Sequence, residues 1–292
     1  MAFNRILSAT DFSADAGAAL RRAVLLASQH KASLEVLHVV PEESLQSLRQ
    51  WVPVDCADRI VVAVREELEG CAVGAAKHTG MRIDTRATVG RVIDTILERA
   101  AASDLVVIGA HGTNPLKDMV LGTTAERIAG RSPAPVLVVR APPAQPYSKV
   151  LVAVDLLPGA EEALALALGF APAATLVAVH AFDIPFGGML HRAGVTQPVI
   201  DQHRVRAHRD ALDRLAALSR SVSGAADRFL AYAERGHPAA VILERQQAMG
   251  ADLVVIRKRA RSLAEAVFLG SVTRHVLADA ASDVLVLAEP KR

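Results

Sequence analysis

The 292 residues include 33 basic and 31 acidic side chains, a formal net charge of +2, so no overall field draws the chain to nucleic acid or an anionic membrane. Apolar residues make up 51% of the chain but aromatics only 3%, which suits helices packed on a buried sheet better than a half-exposed antiparallel one. Two cysteines, Cys56 and Cys71, lack CxxC spacing and offer neither a zinc site nor a disulfide framework; with no signal-peptide pattern in MAFNRILSATDFS, a reducing, cytoplasmic setting is expected.

From the amino terminus, apolar runs of strand length alternate with helical periodicity. Strands are expected at Arg5 to Ala9, Ser33 to Val40, Arg82 to Thr88, Asp104 to Ile108 and Pro135 to Arg140. Between them the pattern predicts a helix from Ser13, a candidate N-cap, through Ala27, and others over about Ala57 to His78, Val92 to Ala101 and Thr123 to Gly130. A proline-rich stretch, Ala141 to Pro146, then interrupts the alternation. After it the pieces return in order. Arg5-Ile-Leu-Ser-Ala-Thr-Asp11 recurs as Lys149-Val-Leu-Val-Ala-Val-Asp155, and Leu37-His38-Val39 as Val179-His180-Ala181. Asp104-Leu-Val-Val-Ile-Gly109 recurs as Asp252-Leu-Val-Val-Ile-Arg257, and Leu121-Gly122-Thr123 as Leu269-Gly270-Ser271. Two homologous domains follow, residues 1–140 and 148–292, joined by a short stiff linker at 141–147.

The uncharged stretch from Ala163 to Phe182 is divided by Gly169 and Pro172. It reads as a buried helix, Ala160 to Ala171, and a strand, Thr175 to Phe182, each too short for a membrane span. Strand and helix in strict alternation imply right-handed crossovers. The expected class is α/β: two tandem doubly wound, Rossmann-like domains, each a five-stranded parallel sheet with helices on both faces.

Ligands of such folds bind at the carboxyl ends of the strands. There Gly109-Ala-His111-Gly112 follows the fourth strand, and Gly122-Thr123-Thr124 opens the next helix, giving G-x2-G-x9-G-[ST]. Gly109 and Gly112 are expected to allow positive φ and close approach of backbone amides to a phosphate. The helix start beyond Gly122, with its free N–H groups and dipole, favours an anion. The second copy has Arg257-Lys258-Arg259-Ala260-Arg261 in place of the glycine loop, so it is not expected to bind in the same manner. Those four cations fit either a solvated loop or a source of charge for an anion or acidic partner. With no aromatic residue interleaved to stack bases, a nucleic-acid role is not expected. The segment from Asp183 to Pro198 is read as a loop packing on its own domain, with flanking the site or contacting a partner as the alternatives.

The glycine spacing, the opening Ile6 to Ser13, Leu37-His38-Val39 and the closing Pro133 to Val139 resemble the universal stress protein family, in both copies and over nearly the whole chain. The resemblance implies an adenine nucleotide alpha hydrolase-like fold and an ATP site, with a divalent cation such as Mg2+, in the first copy alone. It implies that Ala9 and Asp11 border the base and Val39 lines the adenine pocket. It further implies that Gly109, His111 and Gly112 follow ribose and phosphates while Gly122, Thr123 and Thr124 hold the phosphate chain. Ala125 departs from the pattern, because the family commonly has a hydroxyl there. His38 reads as a strand-end packing residue, and Asp155 as structural. The terminal strands, Val136 to Val139 and Val284 to Leu287, are expected to pair into an intramolecular pseudo-dimer, with a homodimer also open.

The implied function is a nucleotide-dependent stress-response regulator or sensor with an unidentified protein partner. Slow ATPase activity and a nucleotide-free interaction module are the alternatives. The sequence has no Walker-type GxxxxGK[ST] and no HxGH-like signature, so catalysis is not expected.

Overall fold

The computed structural model describes residues 3–51, 54–113, 121–143, 145–183, 189, 192–222, 228–258 and 269–288. Among them, ten strands form one sheet. The first half supplies β1 (Arg5–Ala9), β2 (Ser33–Pro41), β3 (Ile83–Gly90), β4 (Leu105–Gly109) and β5 (Val136–Val139). The second supplies β6 (Lys149–Ala153), β7 (Thr175–Phe182), β8 (Phe229–Arg235), β9 (Leu253–Arg257) and β10 (Asp283–Leu287). The order is β3-β2-β1-β4-β5-β10-β9-β6-β7-β8. Each half is therefore a parallel five-stranded sheet with the same internal order, and the halves meet through the antiparallel pair β5–β10.

Helices of the first half are α1 (Ala14–His30), α2 (Glu42–Arg49), α3 (Val54–Ala76), α4 (Val92–Ala100) and α5 (Thr123–Arg131). The second half has α6 (Ala160–Phe170), α7 (Gln197–Ser221), α8 (Pro238–Met249) and α9 (Ser271–Asp279). The strand positions follow the sequence pattern closely. Helix α3 begins three residues earlier than the pattern predicts, and α2 has no counterpart in it. The uncharged stretch folds as expected, into α6 and β7, and no described helix is long and apolar enough to cross a membrane. Parts of the Asp183 to Pro198 segment, and Arg259 to Arg261 of the basic loop, lie outside the described residues.

Helix α1 shows how local sequence sets local structure. Ser13 Oγ accepts from Ala16 N at 3.1 Å, satisfying one free amide of the first turn. At the far end Lys31 turns left-handed, φ 55°, and its N–H returns to the Ala27 carbonyl. Ala19, Ala23 and Ala27 are fully buried, and their small side chains let the helix lie close on the sheet.

The halves are joined by more than the strand pair. In the register Val136↔Val286, Leu137↔Leu285, Val138↔Val284, equivalent leucines face each other on a local twofold axis. Beside it, Asp283 is buried at 4% side-chain exposure, with Arg22 Nε 3.3 Å away as a charge contact rather than an aligned hydrogen bond. Its oxygens accept from Arg140 N at 2.9 Å and Tyr147 Oη at 2.6 Å. Burial raises the Asp283 carboxyl pKa, opposed by these two hydrogen bonds and by the Arg22 charge. Arg22 also lies 4.0 Å from the Tyr147 ring centroid and donates to the Gln145 carbonyl at 2.8 Å, which ties down the linker. Each half sends a cation to the last carbonyls of a helix in the other. Arg140 donates to Leu277 and Ala278 of α9, and Lys258 Nζ to Gly130 and Ser132 at the end of α5.

Removing Asp283 strands a buried guanidinium and a buried tyrosine hydroxyl. The Asp283→Ala protein is expected to lose about 3 kcal/mol of stability in urea unfolding. A second test uses His30, which packs against Phe3 and Phe170 and whose Nε2 lies 3.1 Å from the Phe170 carbonyl. Burial lowers its pKa, against a smaller raising effect of that carbonyl. Folded His30 therefore takes its proton later than the unfolded chain as pH falls. Its contribution is present above the ordinary value of 6.5 and is lost as pH drops through the folded value. Between about pH 7.5 and about pH 5.5, on either side of the ordinary histidine range, the wild type should lose more stability than His30→Gln.

Candidate functional site

In each half the chain moves outward from β1 to β3 and then returns to β4, so the carboxyl ends of β1 and β4 flank the point where strand order reverses. Two loops meet there. After β1, Phe12 is held left-handed at φ 64° by hydrogen bonds on both sides: Thr10 Oγ1 accepts from Phe12 N, and Asp11 Oδ1 from Ser13 N, each at 3.1 Å. The Phe12 ring stacks on His38 at 4.5 Å between centroids, and His38 Nδ1 lies 2.8 Å from the Thr10 carbonyl. His38 thus braces the strand ends. Its counterpart His180 does the same, 2.7 Å from the Val154 carbonyl.

The loop after β4 is tied to the start of α1. Asp15 Oδ2 accepts from His111 N at 3.1 Å and from His111 Nδ1 at 2.8 Å; because a carboxylate only accepts, Nδ1 bears the hydrogen. Asp11 Oδ2 accepts from Thr113 N at 3.0 Å. Each oxygen of Asp11 is therefore engaged by a backbone amide, and its first role is to join the two loops.

The expectation of positive φ at Gly109 and Gly112 is not met; neither has it. The constraint is close packing. A Cβ at position 109 would stand 2.7 Å from the Asp15 carbonyl carbon, and one at 112 would stand 2.8 Å from Asp11 Oδ2. Gly122 is the N-cap of α5, φ −66°, with no side-chain cap on the first turn, and its N–H closes the loop onto the Ala110 carbonyl at 2.8 Å.

Ala9, Asp11, Val39, Gly109, His111, Gly112, Gly122, Thr123 and Thr124 all line one cavity of about 570 Å³. Val39 and Ile108 are buried on its apolar side, while Thr123 and Thr124 are exposed at the opposite end. Ala125 is buried in the core beneath. Sequence reasoning missed Thr10, Asp15, Val92 and Thr113. Val92 was within reach of the strand-end rule, since it opens the helix after β3. Asp15 was not, because its contact with His111 spans 96 residues. Among the described residues no three potential metal ligands come together.

The second half holds a cavity of about 510 Å³ at the equivalent place, lined by Val179, Ile242, Ile256, Asp155, Arg257 and Ser271 among others. Its chemistry differs. Arg257, at the position of Gly109, bonds both oxygens of Asp155 at 3.2 Å and the Pro158 carbonyl at 2.7 Å. Space for it comes from α6, which starts at the equivalent of Ala16, two residues later than α1. The equivalent of Asp15 is Gly159, at φ 92°, with the guanidinium where its Cβ would be. The two halves thus exchange a glycine: at the strand end in the first, at the helix start in the second. Neither Arg257, at 15% side-chain exposure, nor Lys258 on the carbonyls of α5 fits the solvated-loop reading.

The family model for the universal stress protein family matches residues 2–140 and again 146–288. The chain belongs to the universal stress protein family. Among curated universal stress proteins, YxiE of Bacillus subtilis is 34% identical over 149 residues, 47% of this chain and 99% of YxiE. One from Mycolicibacterium smegmatis is 26% identical over 300 residues, covering 97% of this chain and 96% of that protein. The crystal structure of a universal stress protein from Archaeoglobus fulgidus superposes with a TM-score of 0.69 at 17% identity, over 98% of this chain and 96% of that one, which shows the shared fold.

Packing at the glycines is directly testable. Gly109→Ala must push α1 away from β4 and is expected to cost about 2 kcal/mol in urea unfolding. Gly74→Ala, where a Cβ meets nothing within 4 Å in helix α3, should not destabilise.

Proposed function

We propose that the first half binds ATP at the cavity between the β1 and β4 loops and that the protein acts as a nucleotide-dependent regulator in the stress response. The observation behind this reading is the convergence of nine separately predicted residues on one cavity at the strand-order reversal, next to a helix start with no side-chain cap. In this reading the base lies against Val39 and Ala9, and Asp11 offers its carboxylate at the rim. The phosphates lie at Gly112, Gly122, Thr123 and Thr124, where free amides and hydroxyls of α5 donate and its dipole favours negative charge. The turn from Gly109 to Gly112 is held by Asp15 and Asp11, through the amides of His111 and Thr113, rather than by unusual backbone angles. A Mg2+ ion would travel on the phosphate oxygens, since no protein cage for it is found among the described residues.

The division of labour proposed is residues 1–140 as the nucleotide domain and 148–292 as a domain that does not bind ATP in this manner, joined by 141–147. Arg257 supports it, because its side chain fills the strand end and neutralises Asp155. For the second half, a nucleotide-free interaction module is the reading this favours.

The test is to denature purified protein and identify released nucleotide by chromatography, for the wild type, Gly122→Val and Gly270→Val. About one adenine nucleotide per chain, lost only in Gly122→Val, is expected from the single cavity assigned. No nucleotide, with no ATP binding in calorimetry, would remove the regulator reading; two per chain would overturn the assignment of the second half. Multiple turnover of ATP well above background would instead favour an enzyme.

A further inference from the structure

Lys258 leaves the end of β9 and crosses to the other half, where its Nζ donates to the carbonyls of Gly130 and Ser132, each at 2.9 Å. These carbonyls end α5, whose opposite end is the Gly122-Thr123-Thr124 rim of the candidate cavity. The same helix is held near its start. Arg274 of α9 places Nε 2.9 Å from Oε1 of Glu126, one turn in from Thr123. Beside the Glu126–Arg274 contact a cleft of about 850 Å³ is lined by residues of both halves, with Leu269 and Arg274 from the second. It shares Pro41, Val92 and Thr123 with the candidate cavity, so the two spaces adjoin at the helix start.

Helix α5 has nine residues, about 13 Å of rigid rod, so a shift at one end appears at the other. An ammonium at its carboxyl end and an anion at its amino end also act in the same sense on the helix dipole. Lys258 and Arg274, the cations that meet α5 in these contacts, both belong to the second half.

We infer that the second half controls the anion site of the first through α5: Lys258 is a positioning residue that sets the phosphate-facing amides from the far end of the helix, and Arg274 assists through Glu126. The inference rests on the reading that the cavity takes a phosphate-bearing ligand. Linkage then makes the effect reciprocal, so that a ligand at Thr123 tightens the contact between the halves.

The test uses the full chain with Lys258→Met and two readouts. Amide hydrogen exchange without ligand should rise across Thr123–Arg131 and stay unchanged in β3 and α4. ATP affinity by calorimetry should fall by about two- to fivefold, the range expected for a charge at a helix end, and Lys258→Arg should restore most of it. Arg274→Glu should act in the same direction, and the exchange Glu126→Arg with Arg274→Glu should reverse it; this pair serves as the test if Lys258→Met does not fold. Unchanged exchange in α5 overturns the inference whatever the ligand. Raised exchange with unchanged ATP affinity overturns the coupling. Raised exchange in a protein whose wild type binds no ATP supports the positioning role and removes the nucleotide reading instead.

Discussion

The antiparallel pairing of β5 with β10 is the constraint on which the molecule depends. Two parallel half-sheets each end in a short apolar strand, VLVV in one and DVLVL in the other, and an unpaired edge of that kind is a template for aggregation. Joining them within the chain satisfies both edges. It also forces the halves into a twofold relation about Leu137 and Leu285, which decides what else can meet. Arg22, Arg140, Tyr147 and Asp283 converge only because the strands bring the middle of α1, the linker and the start of β10 together. In such a buried polar cluster desolvation opposes the Coulomb energy, so its net contribution to stability is smaller than the cost of removing one partner.

The same sheet holds two versions of one site. In both halves a left-handed residue follows the first strand, an aspartate closes the turn, and a histidine braces the strand ends. This scaffold is independent of what the cavity contains. What differs is a single exchange of bulk across the β4–α1 contact and its counterpart. A glycine facing Asp15 leaves the strand end open, whereas an arginine facing Gly159 fills it and supplies the counter-ion of Asp155. The strand end of the second half is therefore filled by its own well-bonded side chain.

Much of this was legible in the sequence, for a physical reason. Parallel strands buried on both faces are written as continuous apolar runs, so β4 and β9, both beginning LVVI, stood out, and the repeat marked β1, β2 and β4 a second time as β6, β7 and β9. Helix α2 was hidden because it starts after Pro41 without a side-chain cap and buries only Leu45. Gathering the nine site residues needed only the strand-end rule together with the family resemblance. Their local reasons did not follow, because Gly109 answers to α1 and Gly112 to Asp11, contacts that no window of sequence contains. Lys258 illustrates the same limit: a cation in a basic run looks solvated until the sheet brings α5, 126 and 128 residues away, to meet it.

Glu126 and Arg274 occupy equivalent places, 148 residues apart, and face each other across the twofold axis. Both are partly exposed, so their attraction adds little to stability. Its sign matters more. Two first halves from separate chains, joined in the same way, would set Glu126 against Glu126, and two second halves would set Arg274 against Arg274. Duplication inside one chain has released this position from the self-complementarity that a symmetric dimer imposes. The pair would therefore disfavour pairing of like halves, by no more than the modest energy of an exposed ion pair, while leaving the first-with-second partnership unopposed.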